Sequence, residues 1–213
     1  MFFGGPKIKQ VLFDVGGVFV DAELDRYIQI GCAMFQTTPE ALTQEMTEHL
    51  PALETGSIDS VTFWKELGES LWRSGKGKIS YDNNFEGLWG NMLMATLSID
   101  NRMLKVVELL KHNGYKVGIV SNVIAEHAAV LEKVNFYAAF DPCVLSCNIG
   151  VRKPQADIYR MAVKMAGVSM RSCLFIDDSS VNVQAAQELG MSGLVFSSIE
   201  QLCEDLTSLR LLR

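Results

Sequence analysis

The feature that most restricts the fold of this 213-residue chain is the spacing of its short apolar runs. QVLFDV (10–15), YKVGIVSN (115–122), SCLFIDD (172–178) and GLVFSS (193–198) have the length and β-branched content of strands buried on both faces, with PCVLSC (142–147) a weaker fifth. Segments with a helical apolar period lie between them. The clearest is NRMLKVVELLKHNG, where Met103, Val106, Val107 and Leu110 share one face and Gly114 supplies a stop. AEHAAVLEKVNF, PQADIYRMAVKMAG, VNVQAAQELG and IEQLCEDLTSLRLL follow. Strand and helix in alternation imply a parallel, doubly wound α/β sheet.

One gap breaks the alternation. The hundred or so residues between Val15 and Tyr115 read as helices only: ELDRYIQIGCAMF, TPEALTQEMTEHL, SIDSVTFWKELGESLW and YDNNFEGLWGNMLMA, broken at Pro39, Pro51, Gly56 and a GKGK turn. A crossover between parallel strands needs only about a dozen residues, so an inserted all-α subdomain is expected here. The expected division is an α/β core of residues 1–17 and 96–213 and a helical insertion of 18–95. Phe63, Trp64, Trp72 and Trp89 are expected to pack its helices together, with lining of a pocket as the alternative.

Composition narrows the partners. With 48% hydrophobic and 21% charged residues and a net charge of −6, the chain reads as an ordinary globular protein without electrostatic footing on nucleic acid or anionic lipid. No window approaches the roughly 18 apolar residues of a spanning helix. The N-terminal MFFGGPKIKQ has no basic head followed by an apolar core, so a cytoplasmic location is expected. The five cysteines form no CxxC and read as free thiols in apolar surroundings. His49, His112 and His127 sit in separate helical stretches and are expected at solvated positions. No G-x-G-x-x-G follows a strand, which excludes a dinucleotide fold.

Ligands of open parallel sheets bind beyond the carboxyl ends of the strands, so the residues just after each apolar run matter most. The first run ends in Asp14, followed by Gly16-Gly17; the second ends in Ser121-Asn122, and the fourth in Asp177-Asp178 with Ser179 and Ser180. NIGVRKP sets Lys153 before Pro154, a residue suited to the first turn of the next helix. Taken singly, Asp14 also reads as a turn residue, and the serines and Asp178 as helix caps. Three carboxylates converging on one crevice repel unless a cation holds them, and hard oxygen ligands suit Mg²⁺ shared with a phosphate. Lys153 and Ser121 then read as groups for anionic oxygens. Asp14 is placed to act as a nucleophile, with the Gly16-Gly17 amides free to approach a phosphoryl group.

Four motifs in order, FDVGGVFVD, IVSN, VRKP and FIDDSSVN, resemble the haloacid dehalogenase superfamily of phosphohydrolases, in the subgroup whose helical cap follows the first strand. The resemblance implies a Rossmann-like, three-layered α/β core under an all-α cap. It implies Asp14 as the nucleophile that becomes an aspartyl phosphate, and Lys153 as the cation that neutralises nucleophile and phosphate. Gly16, Gly17, Ser121 and the backbone of Asn122 would bind substrate. Asp14, the Gly16 carbonyl, Asp177 and Asp178 would hold Mg²⁺, with Asn182 in support.

One position departs from the pattern. Most phosphatases of the family carry an acid/base Asp two residues after the nucleophile, where this chain has Gly16. General acid–base help is worth about 10²–10⁴-fold, so turnover is expected to be slowed. Asp21, Glu23 or a metal-ordered water would have to substitute. A branch of the family active on hexose 1-phosphates such as glucose 1-phosphate has a similar Asp-x-Gly opening. The expected function is Mg²⁺-dependent hydrolysis of a small phosphorylated metabolite. The alternatives are a catalytically silent member that binds a phosphometabolite or a protein, and a metal-free 2-haloacid dehalogenase, against which the paired Asp177-Asp178 argues.

Overall fold

The computed structural model describes residues 8–20, 24–78 and 85–212. Strand β1 (Gln10–Phe13) leads into four helices, α1 (Leu24–Phe35), α2 (Pro39–Glu54), α3 (Ser60–Arg73) and α4 (Leu88–Thr96). The chain then alternates through α5 (Asn101–His112), β2 (Lys116–Ser121), α6 (Ala125–Lys133), β3 (Cys143–Leu145) and the single turn α7 (Ser146–Ile149). It finishes with α8 (Ala156–Ala166), β4 (Cys173–Asp177), α9 (Ser180–Glu188), β5 (Ser192–Val195) and α10 (Ile199–Ser208). The strands form one parallel sheet in the order β3-β2-β1-β4-β5, with Phe13 beside Ile119 on one side and Ile176 on the other.

The sheet is central because its strands are apolar on both faces. Val11, Phe13, Leu174 and Ile176 point into one core with α5 and α10, while Leu12, Cys173 and Phe175 point into another with α8 and α9. This period-two split makes three layers from five short strands. The four early helices enclose a separate cluster around Phe35, Phe63, Trp64, Leu67 and Trp89, joined from the sheet side by Ile124. Trp72, by contrast, is exposed and packs nothing together. Val18, Phe19 and Val20 pack into the sheet's own core. There Val20 pairs with Ile99, and Asp100 donates its N–H to Phe19 O, so the chain leaves and rejoins the core at adjacent points.

Local sequence sets four of the helix starts. Thr38, Asp59, Asp100 and Ser198 each cap a helix through a side-chain oxygen. Two proline expectations are corrected. Pro51 does not break the chain but lies in the last turn of α2, where its missing N–H forfeits one bond to the carbonyl of exposed Thr47. Pro154 does not open α8, which starts at Ala156 after the N-cap Gln155. Of the cysteines, all are free, yet only Cys173 is fully buried. The start of YDNNFEGLWGNMLMA falls outside the described residues, as do Asp21 and Glu23. No helix among the described residues is long and apolar enough to cross a membrane.

Candidate active site

β1, β2 and β4 are adjacent, so their carboxyl ends bring Asp14, Ser121 and Asp177 to one edge of the sheet. Asp14 follows β1 directly; its N–H is held by Ile176 O at 2.9 Å and its own Oδ1 accepts the Val15 N–H at 2.7 Å. Lys153, 1% exposed, lies between the two buried aspartates, with Nζ 2.8 Å from Asp14 Oδ1 and 2.6 Å from Asp177 Oδ2. Its ammonium also sits 5.5 Å from the centroid of the Phe175 ring. One carboxylate oxygen each from Asp14, Asp177 and exposed Asp178 lie within 4.8 Å of one another.

The electrostatics of the cluster are unbalanced. Three carboxylates against one ammonium leave a formal charge of −2. Burial pushes the Asp14 carboxyl above its ordinary range and the Asp177 charge pushes it further, while Lys153 only partly offsets them. Burial and then Asp177 likewise raise the Asp178 carboxyl. An acidic, all-oxygen donor set with an unmet charge of this size fits a hard divalent cation.

The surrounding residues fix these groups. Asn122 clamps the backbone of Lys153, accepting its N–H at 2.7 Å and donating Nδ2–H to its carbonyl at 3.0 Å. Asn182 donates to both oxygens of Asp177, whose Oδ1 also accepts the Ser179 N–H at the start of α9. Gly17 has φ +71°, and a Cβ there would lie 2.3 Å from Asp178 Oδ2, so a side chain here would be strained and would push the Asp178 carboxylate aside. At Gly16 a Cβ would meet no heavy atom within 4 Å. Ser121 is 2% exposed at the end of β2, and it is not a helix cap, because α6 is capped by Ile124.

Three features of the site were not foreseen. Glu54, at the end of α2, pairs with Arg152 Nε at 2.6 Å, although the N–H is not aligned on the oxygen. Burial raises the Glu54 carboxyl, and Arg152 partly offsets this. The Glu54 carbonyl also accepts from Ser146 Oγ at 2.6 Å, so α2 is docked beside Lys153. His127 corrects the expectation of a solvated histidine: it bonds the backbone of Trp89, and burial lowers its pKa to about 4. Nothing in the local sequence marks any of these, since each contact joins distant segments.

A cavity of about 230 Å³ starts at Gly16 and Ser121 and runs between the sheet edge and the helical unit. A buried lysine between carboxylates at the carboxyl edge of a parallel sheet, beside a partly open cavity, defines the acidic site of a hydrolase with an α/β core. The sequence profile of the haloacid dehalogenase-like hydrolases matches residues 8–190. The chain is 30% identical over 156 residues to flavin mononucleotide hydrolase 1 of Arabidopsis thaliana, a match covering 73% of this chain and 60% of that one. It is 28% identical to D-ribitol-5-phosphate phosphatase of Bacteroides thetaiotaomicron, over 86% of this chain and 89% of the other. A family enzyme from the same bacterium, crystallised with magnesium and inorganic phosphate, superposes with a TM-score of 0.70 at 26% identity, covering 92% and 98% of the two chains. The chain belongs to the haloacid dehalogenase-like hydrolase family and is an enzyme of its phosphatase kind.

Proposed function

We propose that this chain hydrolyses a small phosphomonoester with Mg²⁺ as cofactor, through an aspartyl phosphate on Asp14. The observation that carries this reading is the trio of carboxylates within 4.8 Å around one buried lysine. Asp14, Asp177, Asp178 and the Gly16 carbonyl would hold Mg²⁺, which when bound neutralises phosphoryl oxygens. The helical unit acts as a cap, docked through Glu54.

In the first step an Asp14 oxygen attacks phosphorus, forming a P–O bond as the ester P–O bond breaks. Lys153 steadies the attacking carboxylate, and Ser121 with the Gly16 and Gly17 amides receives the phosphoryl oxygens. The departing alkoxide takes its proton from water, because Gly16 offers none. Water then attacks the phosphorus of the aspartyl phosphate, releasing phosphate and restoring Asp14. The named substrates of the two relatives, a flavin mononucleotide and ribitol 5-phosphate, differ too much to indicate the alcohol.

The test is hydrolysis of p-nitrophenyl phosphate by the natural chain and by Asp14→Asn, with Mg²⁺ and with EDTA. Hydrolysis that needs Mg²⁺ and disappears in Asp14→Asn is expected; equal rates in the two proteins refute the mechanism. Gly16 favours a second reading, a silent member. Such a protein would be protected from thermal unfolding by inorganic phosphate and Mg²⁺ yet turn over nothing. Activity on a 2-haloacid in EDTA would instead point to carbon–halogen hydrolysis.

A further inference from the structure

We infer that the alcohol released by this site is compact and apolar, an aryl or short branched alkyl group, in preference to a sugar or polyol. The inference rests on the phosphomonoesterase reading above and concerns the cavity that adjoins the phosphoryl position. That cavity has room for about eight waters at the volume each occupies in the liquid. Met46, Leu50, Trp89 and Leu93 line it from the helical unit, and Ile124 and Leu131 from the core.

The polar side chains on its lining are already engaged. Asn122 spends both ends of its amide on the Lys153 backbone, and Ser121 lies at the phosphoryl end. Glu54 is paired with Arg152, and His127 is bonded to the Trp89 backbone. The Tyr27 hydroxyl, the remaining nitrogen of His127 and the indole nitrogen of Trp89 are covered by neighbouring atoms. Among the side chains of the lining, a polyol held here finds little beyond a spare oxygen of Glu54 for its several hydroxyls. Each hydroxyl buried without a partner lowers affinity roughly tenfold, whereas each methylene laid on these walls raises it. His127, neutral at pH 7, adds no positive charge to hold a second anionic group.

The experiment compares kcat/KM with Mg²⁺ for 3-methylbutyl phosphate and ribitol 5-phosphate, two primary alkyl phosphates of similar intrinsic reactivity, with glucose 1-phosphate as a third substrate. The expected result is a preference of about tenfold or more for 3-methylbutyl phosphate. Leu50 is only partly buried, so Leu50→Asn should fold, which thermal unfolding verifies. It is expected to shrink the ratio of the first two kcat/KM values about fivefold. Equal or better hydrolysis of ribitol 5-phosphate or glucose 1-phosphate overturns the inference and leaves the phosphatase reading standing. No hydrolysis of any substrate, p-nitrophenyl phosphate included, removes both.

Discussion

Gly16→Asp tests whether the missing acid/base group limits turnover. The backbone at Gly16 is not left-handed, and a Cβ there meets nothing within 4 Å, so the substitution enters without strain or collision. It returns a proton donor two residues from Asp14, and such a group contributes about 10²–10⁴-fold to a reaction whose leaving alkoxide needs a proton. The added charge takes the local balance from −2 to −3, which strengthens cation binding and weakens phosphate binding, so a gain near the lower end is expected. For 3-methylbutyl phosphate kcat should rise about 10²-fold. p-Nitrophenyl phosphate should gain far less, because its acidic phenol leaves without help. The assay is steady-state kinetics on both substrates, with melting temperature as the folding control. Gly17→Ala is the contrasting variant: its Cβ would lie 2.3 Å from Asp178 Oδ2, and it should lose activity. A folded Gly16→Asp protein with no gain on the alkyl substrate would refute the argument that proton donation to the leaving group is limiting.

Three further outcomes follow from the packing. Lys153→Met leaves Asp14 and Asp177 buried without their cation, so urea denaturation should report a loss of about 3–5 kcal/mol; unchanged stability would mean the bridge is not formed in solution. His127 has a folded pKa of about 4 against an ordinary 6.5, so the unfolded chain takes up its proton first as the pH falls. The stability that its neutral form supplies is complete above pH 6.5 and is lost as the pH drops towards 4, by up to about 3 kcal/mol. His127→Gln should flatten that stretch of the stability–pH curve, and an unaltered slope would count against a buried neutral imidazole. Glu54→Ala removes the charged contact between α2 and Arg152 and should raise KM roughly fivefold, about 1 kcal/mol of docking. Faster amide hydrogen exchange in the last turn of α2 should accompany it.

The three central strands were legible in the sequence because a strand buried on both faces must be apolar throughout, and QVLF, KVGIVS and CLFID are nearly so; β5, expected to be buried likewise, is an edge strand with Ser192 and Val195 exposed. The clustering of Asp14, Lys153, Asp177 and Asp178 was legible for a related reason. Parallel strands begin at one edge and end at the other, so the carboxylates just after the adjacent strands β1 and β4 meet there, while Lys153 is carried in by the loop that follows α7. The proline positions were less so, since whether Pro51 breaks a helix depends on which turn it occupies. His127 was misread because its environment comes from α4 and α1, not from its neighbours in the chain: Trp89 stands edge-on 5.7 Å from its ring, with Tyr27 beyond at 6.1 Å.

The sequence alone therefore determined the layered sheet, the helical insertion beside Asp14 and the set of charged groups at the strand ends. Periodicity and strand polarity are local properties that dictate which residues face inward and which edge the polar ones reach. Only the tertiary structure decided how those groups are held and what the adjoining cavity admits. The Asn122 clamp on Lys153 spans 31 residues and the Ser146 contact with Glu54 spans 92, and no local pattern encodes contacts at such separations. They arise when independently formed elements pack, and the hydrogen bonds and burial that result set the charge, volume and polarity of the site.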